Sequence, residues 1–464
     1  MKEKTDLNLS ISFHGAVART TGSAHLIKAG KKSILLDCGM IQGIPHHHNK
    51  RISFDPTTID SVVLSHAHID HSGRIPLLFQ RGFEGSVYCT PATKDLVRIL
   101  LLDAVKISKI DARKEQKSGK KVSLKPLYDE EDVYNALKHF VTVPYHNTES
   151  IENHVNLKFI DAGHILGSAQ PILDFDGTII AFTGDLGQND TPIIKNPDPI
   201  EKAHYLLTES TYGNRIHPQL EKARNLLYKY VQHVTKEGGK LIIPSFTIGR
   251  TQLLIYFLNE IYEKEIVDKT PVYIDSPMAI DATKIYLKHP ECFDKETLKL
   301  LKSGDNPLRF PELKFSKSHR ESRNILTGWE TCVVFAGSGM CTGGRILSHL
   351  INELPTRKSV ILFVGYQAKG TLGRKIVDGA EKVEIYEKNV IIRSKVKMIR
   401  GFSAHADKLE LKKHIAKIKK KPWKTFVIHG EADQSLTFAA DLRNTMGIWA
   451  RVPEYRKEYH LRSA

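Results

Sequence analysis

His66-Ala67-His68-Ile69-Asp70-His71 closes the apolar run Ser61-Val62-Val63-Leu64-Ser65 and sets three imidazoles and a carboxylate within six residues. With 22 histidines in 464 residues, an H-x-H-x-D-H match arises by chance in roughly one such chain in several hundred. Solvated histidines are therefore the weaker reading, and a bound metal the stronger. Val62-Val63-Leu64 reads as a buried strand, and Gly73 with Pro76 punctuates the segment after the motif, so the hexapeptide is expected in a loop at a strand end. Alternate side chains of such a loop diverge. His66 and His68 can converge on one ion while Asp70 and His71 face a second, the arrangement a two-metal site requires.

Imidazole and carboxylate without a nearby thiol suit zinc ahead of manganese or iron, with manganese as a substitute. Cys38, Cys89, Cys292, Cys332 and Cys341 are scattered, odd in number and form no C-x-x-C pair, so a disulfide framework is not expected and a reducing cytoplasm is. The charged start and the lack of any eighteen-residue apolar run speak against secretion and against membrane insertion. A length of 464 residues with 41% hydrophobic content predicts two or three domains with substantial cores. The formal charge of +16 favours a polyanionic partner, because lysine and arginine release counterions from phosphates. Basic residues concentrate at 113–125 and at 412–424, although solvated faces account for such runs equally well.

Strands are expected at 7–13, 33–36, 62–65, 157–160, 179–183 and 205–209, with helices at 91–108 and 129–140, which makes the first part a sandwich of sheets with outer helices. After Thr211-Tyr212-Gly213 the rhythm changes to helix 219–237, strand 240–244, helix 250–262 and strand 272–275, continuing through 332–336 and 359–364. That βαβ alternation predicts a second, α/β domain with a parallel sheet. Gly337-Ser338-Gly339-Met340 and Gly343-Gly344-Arg345 follow one of its strands and open a helix. Free backbone N–H groups and the Arg345 guanidinium there can hold phosphate oxygens, so Ser338, Gly339 and Arg345 are candidate substrate contacts; packing alone also explains such turns.

Four further residues have fitting chemistry at strand ends. His164 stands in Asp161-Ala162-Gly163-His164-Ile165-Leu166-Gly167-Ser168, where glycines let backbone approach an ion. Asp185, in Phe182-Thr183-Gly184-Asp185-Leu186-Gly187, can bridge two cations through its two oxygens. His405, in Gly401-Phe402-Ser403-Ala404-His405-Ala406-Asp407, and His429, in Val427-Ile428-His429-Gly430-Glu431, follow apolar runs, and each reads equally well as a buried structural histidine.

The ordered set of Asp37, His66-x-His68-x-Asp70-His71, His164 and Asp185 resembles the metallo-β-lactamase superfamily. Glu209, His405 and His429 match the three motifs of its β-CASP nucleic-acid-processing branch. Within that branch Glu209-Ser210-Thr211-Tyr212-Gly213, Gly339-Met340 with Gly343-Gly344-Arg345, and Gly365-Tyr366-Gln367 look like the cleavage-and-polyadenylation endonucleases and their prokaryotic relatives. The resemblance implies an α/β fold: an αββα metallo-β-lactamase sandwich, residues 1–208 and 397–464, into which an α/β β-CASP domain with a parallel sheet, residues 209–396, is inserted. It implies one Zn²⁺ at His66, His68, His164 and Asp185, a second at Asp70, His71, Asp185 and His429, and Asp37 behind the ligands. It further implies a cytoplasmic ribonuclease acting on single-stranded RNA without a membrane. Homodimerisation is compatible with it, and no large complex is required, since neither an N-terminal RNA-binding extension nor a long tail is seen.

Two metals about 3.5 to 4 Å apart would supply hydroxide in line with a held phosphorus. A departing ribose alkoxide then needs a proton, worth typically 10² to 10⁴ in rate. His405 fits as the acid, with Glu209 orienting it and raising its pKa, and Asp70 belongs to the same catalytic set. The products would be a 3′-hydroxyl and a 5′-phosphate. A DNA nuclease of the same fold is the nearest rival. A small-molecule metallo-hydrolase needs neither the insert nor Glu209 and His405, and a non-catalytic subunit would lack ligands that this chain retains.

Overall fold

The computed structural model describes residues 8–43, 46–117, 126–245, 248–368 and 370–464. The side chains of the basic run at 113–125 lie outside the described residues. The chain divides into two compact units, one formed by 1–190, 196–216 and 405–464, the other by 191–195 and 217–404. The sequence places the insert at 209–396; Glu209 thus falls within the first unit, one residue beyond the strand Tyr205–Thr208.

The first unit holds two seven-stranded sheets. One runs in the order Glu458–Leu461, Leu9–Phe13, His25–Ala29, Lys32–Leu36, Ser61–Val63, Ser86–Cys89, Phe140–Thr142, antiparallel through Lys32–Leu36 and parallel after it. The other runs Ala450–Arg451, Lys424–Val427, Tyr205–Thr208, Thr178–Phe182, Ala169–Phe175, Val155–Asp161, Thr148–Glu152. Leu9, Ile11, Phe13, Ile34 and Leu36 from one sheet share a core with Phe159, Leu173, Phe175, Phe182 and Phe426 from the other. The period-2 alternation of strands puts the second set, Ala181, Leu206 and Val427, on the opposite face. There they pack with Leu411 and Ile415 of helix Lys408–Ala416 and Phe438 and Leu442 of helix Ala432–Met446. Helices thus flank a double sheet. The first helix reaches from Pro91 to Lys117, well past the expected 108. Helix Glu130–Lys138 starts where the sequence signals it, with Asp129 and Asp132 forming a capping box.

Strand direction decides where function sits. Thr178–Phe182, Tyr205–Thr208 and Lys424–Val427 are parallel neighbours, so Asp185, Glu209 and His429 all emerge from carboxyl ends at one edge of the sheet, the edge where open α/β sheets bind ligands. Val155–Asp161 runs the same way, two antiparallel steps removed, and delivers His164 there. In the facing sheet, parallel Lys32–Leu36 and Ser61–Val63 deliver Asp37 and His66.

The second unit has a six-stranded sheet in the order Leu313–Phe315, Val272–Asp275, Cys332–Ala336, Lys240–Pro244, Val360–Phe363, Lys395–Met398, parallel throughout. Intervening helices such as Leu220–Glu237, Arg250–Glu263 and Ile346–Glu353 make it the expected α/β layer.

Candidate metal centre

Only half of the decisive hexapeptide is loop. His66 to His68 is irregular, whereas Ile69–Ser72 forms a helical turn with His68 at its cap. The amides of His71 and Ser72 both bond the carbonyl of His68, and the His71 ring packs on that of His66 with centroids 4.0 Å apart. Two groups of donors share no residue, His66, His68, His164 and Asp185 in one and Asp70, His71 and His429 in the other; a third, Asp185, Glu209 and His429, joins them, and within each the ligand atoms lie within 4.8 Å of one another.

Asp185 belongs to both neighbourhoods. Its Oδ2 lies 3.4 Å from His66 Nε2, 3.7 Å from His164 Nε2 and 3.4 Å from His71 Nε2, while Oδ1 lies 3.1 Å from His429 Nδ1. Asp185 Oδ1 is nevertheless buried without a hydrogen bond. His71 Nε2 faces His429 Nε2 at 3.0 Å, and His66 Nε2 faces His68 Nδ1 at 3.0 Å. Pairs of ring nitrogens pointed at each other around an orphaned carboxylate oxygen are poor protein-only contacts and good cation cradles. The His and Asp cluster is compatible with bound metal.

Charge agrees. Burial lowers the pKa of His66 well below its usual value and that of His68 to about 4, so both rings are neutral and offer lone pairs. Burial raises the Asp185 carboxyl, but His429, His71 and His405 outweigh it and hold it ionised well below the usual range. Asp70 behaves likewise, held at about 2 against its burial by His429 and His71.

Asp37 lies behind the candidate ligands. It is fully buried, and its Oδ2 lies 2.7 Å from His71 Nδ1. It also accepts from the Ser23 and Ser65 hydroxyls and the Ser65 amide. With Nδ1 engaged there, His71 presents Nε2 to the centre. Asp37 holds this with φ 58°, a left-handed conformation that Asp and Asn tolerate best. Asp37→Asn keeps size and backbone but removes the charge. Affinity at the Asp70–His71–His429 group is expected to fall about 10- to 100-fold, measured by competition with a chelator.

Two glycines set ligand loops against each other. A Cβ on Gly39 would collide with the carbonyl of Asp70, and one on Gly187 with the carbonyl of Gly163. The turn after Asp185 therefore packs directly on the loop that carries His164.

Glu209 is fully buried and accepts from the amides of Leu186, at 2.6 Å, and Thr211. Both its oxygens lie 3.3 Å from His405 Nδ1. His405 also lies 4.0 Å from Asp185 and keeps 21% of its side chain exposed. Burial pulls this imidazole down, but Glu209 and Asp185 outweigh burial and push it up to about 9. The Ala406 amide bonds the Leu186 carbonyl, so one loop couples His405 to the turn holding Asp185.

Residues not singled out from sequence complete the site. Ser65 and Ser23 brace Asp37, the Ser168 hydroxyl accepts from the His164 amide, and Thr211 Oγ1 lies 3.3 Å from His429 Nδ1. Ser65, Ser168 and Thr211 each flank a ligand or Glu209 within the quoted motifs, a usable signal; Ser23 carries none.

The expected phosphate contacts belong to the second unit. Arg345 NH1 donates to Asp275 Oδ1 at 2.6 Å and to the Ser316 carbonyl, and NH2 donates to the Lys317 carbonyl. His349 and Ser322 bond the other oxygen of Asp275. The guanidinium thus ties two loops to a strand end. The Ser338 hydroxyl accepts from the amides of Thr342 and Gly343 and so braces its own turn.

Three family descriptions match the chain: a metallo-β-lactamase superfamily domain at 26–173, a Beta-Casp domain at 251–376, and a Zn-dependent metallo-hydrolase RNA specificity domain at 389–453. A ribonuclease of Thermus thermophilus is 35% identical, covering 91% of this chain and 93% of its own length. The chain belongs to the β-CASP branch of the metallo-β-lactamase superfamily. A transcription termination factor of Methanocaldococcus jannaschii is also 35% identical, over 97% of this chain and 71% of its own. An RNase J-like protein of the same organism is 32% identical over 96% and 97%. A solved protein of unknown function from Enterococcus faecalis shares the fold, with TM-score 0.56 and 14% identity over 98% of this chain and all of its own. The β-CASP chain thus has the family's αββα sandwich and a parallel-sheet insert, and the metal-ligand cluster lies within the sandwich. No helix among the described residues is long and apolar enough to cross a membrane.

Proposed function

We propose that the chain is a zinc-dependent ribonuclease that hydrolyses single-stranded RNA to 3′-hydroxyl and 5′-phosphate ends, with two Zn²⁺ as its cofactors and manganese as a substitute. One observation carries this reading: a single carboxylate, Asp185, stands between two donor groups, with the His405–Glu209 pair directly beside it. His66, His68, His164 and Asp185 would hold one cation, and Asp70, His71, Asp185 and His429 the other. When bound, such a pair lowers the pKa of a shared water toward neutrality and neutralises charge on the phosphoryl oxygens.

The chain's own residues do the rest. Asp37 fixes the tautomer and direction of His71. Asp70 orients His429, whose Nε2 lies 3.7 Å from its Oδ2. Glu209, held by two backbone amides, faces His405 Nδ1 and so leaves Nε2 to give a proton to the departing ribose 3′-oxygen. RNA as the substrate is supported by the match to an RNA specificity domain, by relatives named as ribonucleases and by the +16 charge.

The test is digestion of end-labelled single-stranded RNA and matched DNA by protein stripped of metal and then reloaded with Zn²⁺ or Mn²⁺. Cleavage of RNA only after reloading, with 5′-phosphate ends, is expected; preference for DNA would move the chain to the rival class. Product sizes separate internal cutting from stepwise removal at the 5′ end. RNA affinity should also fall linearly on a log–log plot against salt. A flat salt response would show that the basic charge does not contact RNA.

A further inference from the structure

The edge of the second sheet that faces away from the metal centre carries an unused charge signal. Tyr205 pairs with Lys424 and Thr208 with Val427 in parallel register. The metal-side residues Glu209 and His429 follow the carboxyl ends of these strands, so the segments preceding them, 201–204 and 417–423, lie at the opposite end. At about 3.3 Å per residue, the strand puts Lys424 about 10 Å from its carboxyl end at Val427, and His429 follows two residues on.

Residues 411–430 contain seven lysines and no acid. Lys408 and Lys412 share the single carboxylate of Asp441, at 3.2 and 3.0 Å. Lys417, Lys419, Lys420 and Lys421 are exposed. The Lys419 amide donates to the backbone carbonyl of Glu201. Aromatic rings interleave with these cations. Trp423 packs between the His204 ring, 4.4 Å away, and the Arg462 guanidinium, 4.1 Å away. Trp449 is 45% exposed, with Lys424 Nζ 5.7 Å from its centroid, and its carbonyl is pinned by the Thr425 amide. Between Lys417 and Lys424 no large apolar side chain is exposed, unlike a membrane-inserting segment.

Cations spaced along the loop that leads into a strand, beside a half-exposed indole, suit one ligand chemistry: phosphates on the lysines and a base stacked on the ring. We infer that Lys417, Lys419, Lys420, Lys421, Lys424 and Trp449 form a second contact surface for single-stranded RNA, remote from the bond being cut. The identity of the ligand rests on the proposed ribonuclease activity. The separation makes the surface length-selective, because only an RNA of several nucleotides spans it and the metal centre together.

The test uses metal-loaded protein, a phosphorothioate-linked 20-nucleotide oligouridine for binding by anisotropy, and the matching RNA and a trinucleotide for kinetics. Trp449→Ala should weaken 20-mer binding about tenfold, and Trp449→Phe, which keeps an aromatic face, should restore most of it. Lys419→Gln with Lys420→Gln and Lys421→Gln should lower the slope of log affinity against log salt by about 2. KM for the 20-mer should rise with kcat held, trinucleotide kinetics should be unchanged, and melting temperatures should match the wild type. Wild-type binding of the 20-mer by all variants, or an equal defect on the trinucleotide, would overturn this surface and leave the ribonuclease reading standing. Capture by phosphatidylserine vesicles with RNA binding intact would reassign it to a membrane. A wild-type protein that neither binds nor cuts RNA would remove both readings at once.

Discussion

Asp185→Ala should leave a folded protein that retains less metal and cuts no RNA. Asp185 Oδ2 lies within 3.7 Å of a nitrogen on His66, His71 and His164, and Oδ1 lies 3.1 Å from His429. Under the proposed ligand assignment, one substitution would remove a donor shared by both positions. Losing a group that merely orients a ligand costs about 10- to 100-fold in metal affinity, so losing a shared ligand should cost more than that at each position. The measurement is metal per chain after dialysis against a weak chelator, alongside RNA cleavage and thermal melting. Asp185→Asn separates charge from shape, because its amide offers one neutral oxygen where the carboxylate offers two charged ones. Two equivalents of zinc with full activity in either variant would take Asp185 out of the centre.

The candidate ligands stand out because their signals are local. His66, His68, Asp70 and His71 share one turn, and His164 and Asp185 sit in glycine-flanked strand ends whose composition betrays a close approach of backbone. The sandwich and the parallel sheet are legible for the same reason, as strand periodicity and βαβ rhythm are short-range patterns. Sequence alone does not expose pairing across long separations. His429 joins the centre because Lys424–Val427 lies beside Tyr205–Thr208, a neighbour relation set by topology; in sequence terms it reads as a buried histidine, and its place in the site comes from resemblance. Arg345 shows the opposite error source. A guanidinium after a glycine-rich turn reads as a phosphate holder, yet a buried carboxylate 70 residues upstream, Asp275, takes it up. The hexapeptide's second half reads as loop because four residues are too few to show a helical period, although the His68 carbonyl closes a full turn.

The substitution that best separates acid catalysis from metal binding is His405→Ala. In His405 the Nδ1 edge is committed to Glu209 at 3.3 Å, and the ring lies outside both donor groups while remaining 4.0 Å from Asp185. If it supplies the leaving-group proton, His405→Ala should keep both metals and RNA affinity and lose about 10² to 10⁴ in the cleavage step. His429→Ala should instead lose occupancy of the Asp70–His71 site, since its ring nitrogen faces His71 at 3.0 Å. The two histidines are thus distinguishable by metal content before any rate is measured. A nitrophenyl phosphodiester gives the stricter comparison, because nitrophenolate is a stable anion and needs no proton to depart. The His405→Ala defect should shrink there toward the wild-type rate, while the His429→Ala defect should persist. Glu209→Gln should follow His405 in this selectivity, with a smaller loss, because it weakens the orientation of the ring and leaves the ring itself in place. Metal loss in His405→Ala, or a defect that is undiminished on the activated ester, would place His405 among the ligands and leave the departing oxygen to be protonated by water.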